Sequence, residues 1–415
     1  MSAPNVLVFG GLNTCSRTLV GLLVPLTGEP LVGHVRVVDK FSVFPPTTYI
    51  GAEFVQLLTR PQVEYKQANL TVPATIARMF DPPEGQAPYQ YVFDFTGEVQ
   101  FDRTEMIQID RTCQVARMIA VEAAKRKVKA YVRLQHPFYE TSAKGTHDEK
   151  EDIKPDGIAG TWWHETLRML AAIDDLNLVI LRIGFVYGPY INWGSIASAI
   201  TVASVYGHMK KPMKSMWSPG KNPTHTVHAE DVAGAMWALA EWMAPKGRKE
   251  ADALAGELII FHNEKSKAAS VQGMPPADKK LVAPLFNLVD DSESTLLSVG
   301  QNVTSFFGTT FEFFNFVENT VLKLRADAVE EINEHHVGGW TEMISTSSPP
   351  IPNTPLSAYM DKWALEKHVL ALSNRKLVEV VGYRLKRPIF GKETIGEVVE
   401  RWKEEGSWPM VRASQ

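Results

Sequence analysis

Residues 6–16 of this chain read Val-Leu-Val-Phe-Gly-Gly-Leu-Asn-Thr-Cys-Ser. The apolar run predicts a short buried strand, and the glycines that follow it predict a tight turn. Residues 18–26 then have the apolar spacing of a helix, and residues 35–38 form a second apolar run that ends in Asp39. This order of strand, glycine-rich turn, helix, strand and acidic residue predicts a βαβ unit of the kind that binds dinucleotides.

The turn departs from the dinucleotide-binding motif at two of its three glycine positions. Gly10 stands at the first position, whereas Asn13 and Ser16 occupy the second and the third. Asparagine tolerates the left-handed conformation that glycine adopts there, and serine is small enough for close packing of the helix on the strand. We therefore expect dinucleotide binding to be retained. The alternative is a βαβ unit that has kept its shape and lost its ligand.

The composition is that of a globular protein. Of the 415 residues, 45% are hydrophobic and 22% are charged, and the net charge is −4. A small negative charge gives no reason to expect nucleic acid or an anionic membrane as a partner. The two cysteines are too few for a disulfide framework, and no apolar run is long enough for a membrane span. The sequence therefore predicts a cytoplasmic protein.

Strand and helix patterns alternate over the first 240 residues. Beyond the opening unit, strands are predicted at 63–66, 90–95, 129–134 and 177–182, and helices at 104–126 and 161–173. This alternation is typical of a parallel sheet covered by helices, which binds ligands at the carboxyl ends of its strands. The predicted fold class is α/β, a Rossmann-type doubly wound parallel sheet with a smaller, mostly helical C-terminal region on the substrate side.

The pattern changes after residue 245. We therefore predict a Rossmann domain at 1–245 and a C-terminal region at 246–415, with an aromatic-rich insertion at about 265–345 and partial interleaving of the two. Residues 304–316 contain six phenylalanines, which must be buried or must bind something. The remaining predictions are a loop-rich stretch at 265–300, a Ser/Pro-rich linker at 345–355, and helices at 357–372 and 392–404.

Three further segments follow the turn in the order found in one enzyme family. Residues 182–189 read Arg-Ile-Gly-Phe-Val-Tyr-Gly-Pro, residues 226–233 read Thr-Val-His-Ala-Glu-Asp-Val-Ala, and residues 381–384 read Val-Gly-Tyr-Arg before Pro388. They resemble three motifs of the extended short-chain dehydrogenases/reductases, within the NAD-dependent epimerase/dehydratase group. These motifs are Arg-Pro-x-x-Val-Tyr-Gly-Pro, Val-His-Val-Asp-Asp-Val-Ala and a terminal Leu-Gly-Tyr-x-Pro. The resemblance spans most of residues 4–245 and returns at about 370–410.

The resemblance implies NAD as the cofactor and assigns residues to its binding. The carboxylate of Asp39 would hold the adenosine ribose and would repel a 2′-phosphate, although the neighbouring Lys40 leaves NADP open. Asn69 matches a polar residue near the adenine, and Thr96 and Gly97 match a small-residue turn beside the cofactor. The implied cofactor-binding set is Gly10, Gly11, Asn13, Ser16, Asp39, Asn69, Thr96 and Gly97. No metal site is predicted.

The family's catalytic Tyr-x-x-x-Lys pair is absent from its expected place. In that pair the lysine lowers the pKa of the tyrosine, which moves a proton while the nicotinamide moves a hydride. Counting back from Arg182 puts the pair at Asp156 and Gly160, and a shift by one helical turn puts it at Gly160 and His164. The family's catalytic Ser/Thr position falls on Gln135 or His136.

Four polar residues near the expected crevice are candidates to replace the lost groups: His136, Tyr139, Asp156 and His164. A histidine can act as an acid or a base near neutral pH without a lysine. The competing interpretation makes His136 a loop residue and makes residues 162–165, Trp-Trp-His-Glu, a packed helix face.

Three functions are compatible with this sequence. The first is an NAD(P)-binding epimerase-, dehydratase- or reductase-like enzyme that acts on a small hydroxyl or carbonyl substrate through a non-standard acid/base. The second is an inactive scaffold with a binding or regulatory role, for which residues 304–316 would form a partner surface. The third is a non-redox isomerase or cyclase in the same pocket. The expected partner is a small molecule, and a homodimer is left open.

Overall fold

The computed structural model describes residues 3–324 and 328–411, which fall into two compact units. The first unit comprises Met1–Gly184, Ala229–Val289 and Leu372–Lys386. The second comprises Phe185–His228, Asp290–Ala371 and Arg387–Gln415. Each unit is therefore assembled from three separate stretches of chain. Within the described ranges, no helix has both the length and the apolar character needed to cross a membrane.

Fourteen strands are present in the described residues. Those of the first unit are β1 (Asn5–Phe9), β2 (His34–Asp39), β3 (Val63–Gln67), β4 (Tyr91–Asp94), β5 (Ala130–Gln135), β6 (Tyr139–Glu140), β7 (Lys154–Pro155), β8 (Leu178–Ile183), and later in the chain β12 (Gly256–Leu258) and β13 (Val282–Leu288). Those of the second unit are β9 (Phe185–Tyr187), β10 (Met213–Ser215), β11 (Thr226–His228) and β14 (Phe311–Phe313).

Fifteen α-helices alternate with these strands in the described residues. Those of the first unit are α1 (Thr14–Leu23), α2 (Ala52–Leu57), α3 (Pro73–Met79), α4 (Glu105–Gln108), α5 (Val115–Lys125), α6 (Gly157–Ala171), α8 (Ala229–Met243), α9 (Gly247–Ala255) and α10 (Lys265–Ala269). Those of the second are α7 (Ser195–Met209), α11 (Leu296–Phe306), α12 (Phe316–Leu324), α13 (Ala328–Ser345), α14 (Lys362–Leu365) and α15 (Lys392–Glu404). Two π-helical turns, Ile109–Gln114 and Leu377–Val381, belong to the first unit.

An eight-stranded sheet in the order β12-β13-β8-β5-β4-β1-β2-β3 forms the centre of the first unit. Its strands are parallel except for the edge strand β12. Every residue of β1, β2, β5 and β8 is buried. Strands covered on both faces favour continuous Val, Ile and Leu runs, which is the pattern that predicted them. The predicted doubly wound parallel sheet is confirmed.

Helices flank this sheet in two groups. Helices α1 and α8 contact each other, and α8 also contacts β5 and β8. Helices α3, α5 and α6 form a second connected group, and α6 contacts β8. The helix predicted at 104–126 is present as α4, a π-helical turn and α5 in succession. The helix predicted at 161–173 begins earlier, at Gly157, and ends at Ala171.

The Phe-rich segment 304–316 is part of the packing of the second unit. The Phe311 ring lies where a side chain on Gly300 would have to go, and the Phe313 ring does the same at Gly220. Phe307 stacks on Trp408 with 5.8 Å between ring centroids. Of the six phenylalanines, only Phe316 is largely exposed, at 85%. The other five rings are partly buried within this unit, which accounts for most of the cluster that the sequence left unexplained.

Two predictions for the C-terminal half are wrong. The helix expected at 357–372 is limited to α14, because the residues after it are extended and Leu370 forms a bridge with Thr224. The stretch at 265–300, expected to be loop-rich, contains β13, which joins the central sheet beside β8. Helix α13 was not predicted, whereas the helix expected at 392–404 is confirmed by α15. A long-range backbone pairing overrides local pattern in both wrong predictions.

Candidate functional site

The turn between β1 and α1 requires glycine at two consecutive positions. Gly10 has a φ of +70°, and a Cβ there would lie 2.8 Å from the backbone carbon of Phe95. A Cβ on Gly11 would lie 2.2 Å from Cγ1 of Val37. These contacts bring the turn against the carboxyl ends of β4 and β2. The two glycines therefore serve a close backbone approach of the kind that a dinucleotide-binding turn uses.

Asn13 does not take the left-handed conformation that we expected of it. Its φ and ψ are −66° and 153°, and it is the N-cap of α1. Its side-chain oxygen accepts a hydrogen bond from the amide of Cys15 at 3.0 Å. Asparagine is among the preferred N-cap residues because it satisfies an otherwise unpaired amide of the first turn. The departure from glycine thus replaces an open helix N-terminus with a capped one.

Ser16 fills the third motif position and fixes the turn to the helix. It is fully buried, and its hydroxyl lies 2.9 Å from the carbonyl oxygens of both Gly10 and Asn13. The single hydroxyl proton is shared between these two acceptors. A glycine would leave both carbonyls without this donor, so the serine stabilises the turn in a way that a glycine does not.

Asp39 lies at the end of β2 with its carboxylate against the turn. Its Oδ2 accepts a hydrogen bond from the amide of Leu12 at 2.9 Å, and its Oδ1 accepts one from the amide of Lys40 at 2.7 Å. Burial raises the pKa of Asp39 above its ordinary value, while these amides lower it. The carboxylate therefore lies at the carboxyl end of β2 and is held against the turn.

The other residues of the implied cofactor set differ in their surroundings. Asn69 is exposed and its side-chain oxygen accepts from the amide and the hydroxyl of Thr71. Thr96 is buried and donates to Asp94 at 2.6 Å. Gly97 has a φ of +143°, and a Cβ there would lie 2.3 Å from the indole of Trp163. The small-residue turn after β4 is therefore covered by a side chain of α6.

Helix α6 carries the positions where the family's Tyr-x-x-x-Lys pair was sought. Asp156 is its N-cap residue, but the Asp156 side chain does not cap the helix. A Cβ on Gly160 would lie 2.6 Å from the carbonyl oxygen of Phe138. The loop after β5 therefore fills the space that a tyrosine or lysine at Gly160 would need. His164 lies eight residues beyond Asp156, about 12 Å along the helix axis.

Two of the four candidate catalytic residues are brought together by the fold. The Tyr139 hydroxyl and the Nδ1 atom of His164 are 3.1 Å apart. The Nε2 atom of His164 lies 2.6 Å from the carbonyl oxygen of Ile260. A carbonyl only accepts, so Nε2 carries the proton and Nδ1 accepts the proton of the tyrosine. The pair is a neutral phenol donating to a neutral imidazole.

His136 belongs to a different group of side chains. Its ring stacks on Phe138 with 5.4 Å between centroids and meets the edge of Trp163 at 5.0 Å. This surrounding is that of a packed loop residue, which is the competing interpretation given above. The fold places His136 and Asp156 outside the Tyr139–His164 pair.

Burial sets the protonation of these groups. Burial lowers the pKa of His164 to about 3; the hydrogen bond to Ile260 opposes this shift, and the charges of neighbouring residues add to it. Burial and the charge of Arg133 lower the pKa of His136 to about 3. Burial raises the pKa of Tyr139, which the nearby Arg182 lowers in part. All three side chains are therefore neutral at physiological pH.

A row of buried polar residues beside this pair was missed by the sequence analysis. In the sheet register, Gln135 of β5 pairs with Arg182 of β8, which pairs with Asn287 of β13. The Nε atom of Arg182 donates to the side-chain oxygen of Asn287 at 2.7 Å. The guanidinium lies 5.2 Å from the centroid of the Tyr139 ring. We name Gln135, Arg182 and Asn287 the polar row.

A signal for the polar row was present in two predicted strands. Arg182 ends the strand predicted at 177–182, and Gln135 directly follows the strand predicted at 129–134. The third member could not be found, because β13 was not predicted. A further buried ion pair, Asp94 with Arg133 at 2.8 Å, lies one pleat earlier in β4 and β5. In the described part of the chain, no three His, Cys, Asp or Glu side chains are grouped to hold a metal ion.

Known structures share the fold of this chain over nearly its whole length. UDP-glucose 4-epimerase of Thermotoga maritima, solved with UDP-glucose, is 15% identical with a TM-score of 0.57, and the match covers 97% of this chain and 99% of that one. The dTDP-glucose 4,6-dehydratase of Bacillus anthracis, solved with NAD, is 11% identical with a TM-score of 0.59, covering 97% of both chains. This chain has the fold of the extended short-chain dehydrogenases/reductases.

A third structure with this extended-reductase fold is the enzyme WbmG of Bordetella bronchiseptica, solved in complex with NAD. It is 14% identical with a TM-score of 0.57, and the match covers 100% of this chain and 98% of that one. No protein-family model and no curated protein matches the sequence. At these identities the likeness concerns the fold alone, because the chemistry of a protein depends on the residues of its site.

Proposed function

We propose that this chain is a divergent member of the NAD-dependent epimerase/dehydratase group that binds NAD(H) at residues 10–16. The observation that carries the proposal is Asp39, whose buried carboxylate is held 2.9 Å from the amide of Leu12 at the end of β2. Three backbone amides donate to it, so a carboxylate with about four acceptor positions retains capacity for a ribose hydroxyl. Neighbours with this fold that were solved with NAD support the cofactor.

NAD is favoured over NADP by the charge at this position. The Asp39 carboxylate would repel a 2′-phosphate, and a neighbouring cation would have to compensate for it. The Lys40 ammonium lies 5.0 Å from the centroid of the Phe41 ring, which gives it a partner other than a ligand. The expected preference is therefore for NAD.

The proposed reaction is hydride transfer at a hydroxyl or carbonyl carbon of a small substrate. NAD, when bound, supplies the hydride acceptor or donor. Tyr139 and His164 are the groups proposed to handle the proton: the Tyr139 oxygen takes the hydroxyl proton of the substrate while its own proton moves to Nδ1 of His164. Because the pKa of His164 is about 3, holding that proton at pH 7 costs roughly 5 kcal/mol. Turnover by this route is expected to be slow.

A second candidate function is dinucleotide binding without turnover. Two observations favour it. The backbone of Phe138 fills the space at Gly160, and the indole of Trp163 covers Gly97. A regulatory or scaffolding protein needs the ligand-binding turn but no proton relay.

Calorimetric titration of the full chain with NAD and NADP tests the cofactor. NAD should bind more tightly than NADP. Asp39→Asn should weaken NAD binding at least tenfold and should reduce the ratio of the NAD affinity to the NADP affinity. If the folded wild-type protein shows no detectable NAD binding, the proposal is wrong. The full chain is then incubated with NAD and a panel of small alcohols, and the fluorescence of NADH is measured. An enzyme would form NADH, whereas a scaffold would bind NAD and form no NADH.

A further inference from the structure

Arg182 is a buried guanidinium without a carboxylate partner of its own. It is 4% exposed. In the chain as described, no carboxylate oxygen lies within 4.0 Å of its nitrogens, although Asp148 and Glu149 attract it from farther away. Its Nε is taken by Asn287, whereas its Nη2 has no hydrogen-bond partner among the described residues. A buried charge in this state is costly, since desolvation is not offset by an ion pair.

Gln135, the neighbour of Arg182 in the sheet, also has unpaired polar atoms. It is fully buried, and neither its side-chain oxygen nor its side-chain nitrogen has a hydrogen-bond partner within the described ranges. Nearly all buried polar side-chain atoms in proteins are paired, so an amide with both ends unpaired indicates a missing partner. Gln135 and Arg182 are register partners in a parallel pair, so their side chains leave the same face of the sheet about 5 Å apart.

Two neighbouring guanidinium groups have carboxylate partners, which Arg182 lacks in the described part of the chain. The guanidinium of Arg133, on the same face of β5, is paired with Asp94 at 2.8 Å. Arg168 forms an ion pair with Glu165 at 3.3 Å and donates to backbone carbonyls, among them that of Ile259 at 2.7 Å. Arg182 alone of these three has no ion pair within 4.0 Å among the described residues.

Glu149 is the acid closest in the hydrogen-bond network. Its Oε1 accepts a hydrogen bond from the backbone amide of Asn287 at 2.7 Å, while the side chain of Asn287 binds Arg182. Asn287 therefore links Glu149 to Arg182. Gln135 is the last residue of β5 and Arg182 is the last but one of β8. Both residues therefore lie at the carboxyl end of the sheet, where ligands of such folds bind.

We propose that Arg182 and Gln135 form a subsite for a carboxylate group of the substrate. The guanidinium would donate through Nη2 to one carboxylate oxygen, and the Gln135 amide nitrogen would donate to the other. This proposal rests on the proposed function in one respect: the carboxylate is taken to belong to the substrate of the proposed reaction.

The test exploits one isosteric substitution. Gln135→Glu places a carboxylate beside Arg182 within the chain, so it should raise the midpoint of thermal unfolding by several degrees over Gln135→Met, which has a similar volume and no charge. Gln108→Glu is the matched control. Gln108 is also fully buried, but its amide donates to the carbonyl of Gln100, so this substitution should lower the midpoint.

Acetate is the probe for the subsite, with acetamide as the neutral analogue. Acetate should raise the unfolding midpoint of the wild-type chain more than that of Gln135→Glu or Gln135→Met. Acetamide should change the unfolding midpoints of the three proteins by the same amount. Equal acetate effects in the three proteins would overturn the subsite. So would a Gln135→Glu chain that is less stable than Gln135→Met or fails to fold. The experiment contains no dinucleotide, so a failure of NAD binding would be seen separately.

Discussion

Tyr139 donates its phenolic proton to Nδ1 of His164 across 3.1 Å, and Nε2 of the same ring donates to the carbonyl of Ile260. The 25 residues that separate the two side chains in sequence include β6, β7 and the first half of α6. Both side chains are fully buried or nearly so, and their pKa values are moved away from neutrality. The bond is therefore a fixed structural link as well as the proposed route for a proton.

Tyr139→Phe should destabilise the chain by about 1–3 kcal/mol, because the buried Nδ1 of His164 loses its donor. The free energy of unfolding in urea measures the loss. The control is Tyr89→Phe: Tyr89 is also buried, but its hydroxyl has no partner among the described residues. That substitution should be neutral or stabilising. Equal losses in the two variants would contradict the link.

Asn13→Gly should increase the affinity for NAD by about tenfold, or ~1.4 kcal/mol. The side chain now occupies the amide of Cys15 at the helix N-terminus, where phosphate groups bind. Glycine at an N-cap costs only a few tenths of a kcal/mol in stability, so the variant remains folded. Asn13→Asp is the matched control. It keeps the cap and adds a negative charge, and calorimetry should find weaker binding than in the wild type.

Gly160→Ala should lower the free energy of unfolding by about 1–3 kcal/mol, since the new methyl group would meet the carbonyl oxygen of Phe138 at 2.6 Å. The comparison is Gly338→Ala in α13, where a Cβ would have no neighbour within 4 Å. That substitution should stabilise the helix by up to about 1 kcal/mol. A well-tolerated Gly160→Ala would show that the loop after β5 moves easily away from α6.

Protonation of His136 should make stability depend on pH. Burial lowers its pKa from 6.5 to about 3, so below pH 6.5 the unfolded chain binds a proton that the folded chain does not. Stability is therefore lost as pH falls from 6.5 towards 3. Between pH 7 and pH 5 the wild type should lose about 2 kcal/mol relative to His136→Phe, measured by urea unfolding at both pH values. A difference that does not change with pH would indicate that the His136 ring is hydrated.

Much of the first unit could be predicted because its signals are local. The apolar runs that became β1, β2, β5 and β8 are buried on both faces, and such strands carry their environment in their composition. The turn at Gly10 and Gly11 was found for the same reason, since a close backbone approach leaves no choice of residue. The role of Asn13 was predicted wrongly. Its conformation depends on where the helix begins, which glycine-based motifs do not specify.

The sequence by itself determined the βαβ unit, six of the eight strands of the central sheet and the loss of the family's tyrosine and lysine. The tertiary structure decided what replaced them. Only strand order puts β13 beside β8 and thereby aligns Gln135, Arg182 and Asn287 in one row. Only the path of the loop after β5 brings Tyr139 to His164 and closes the space at Gly160. The physical reason is that hydrogen bonds between distant residues depend on which strands are neighbours, and local periodicity carries no information about that choice.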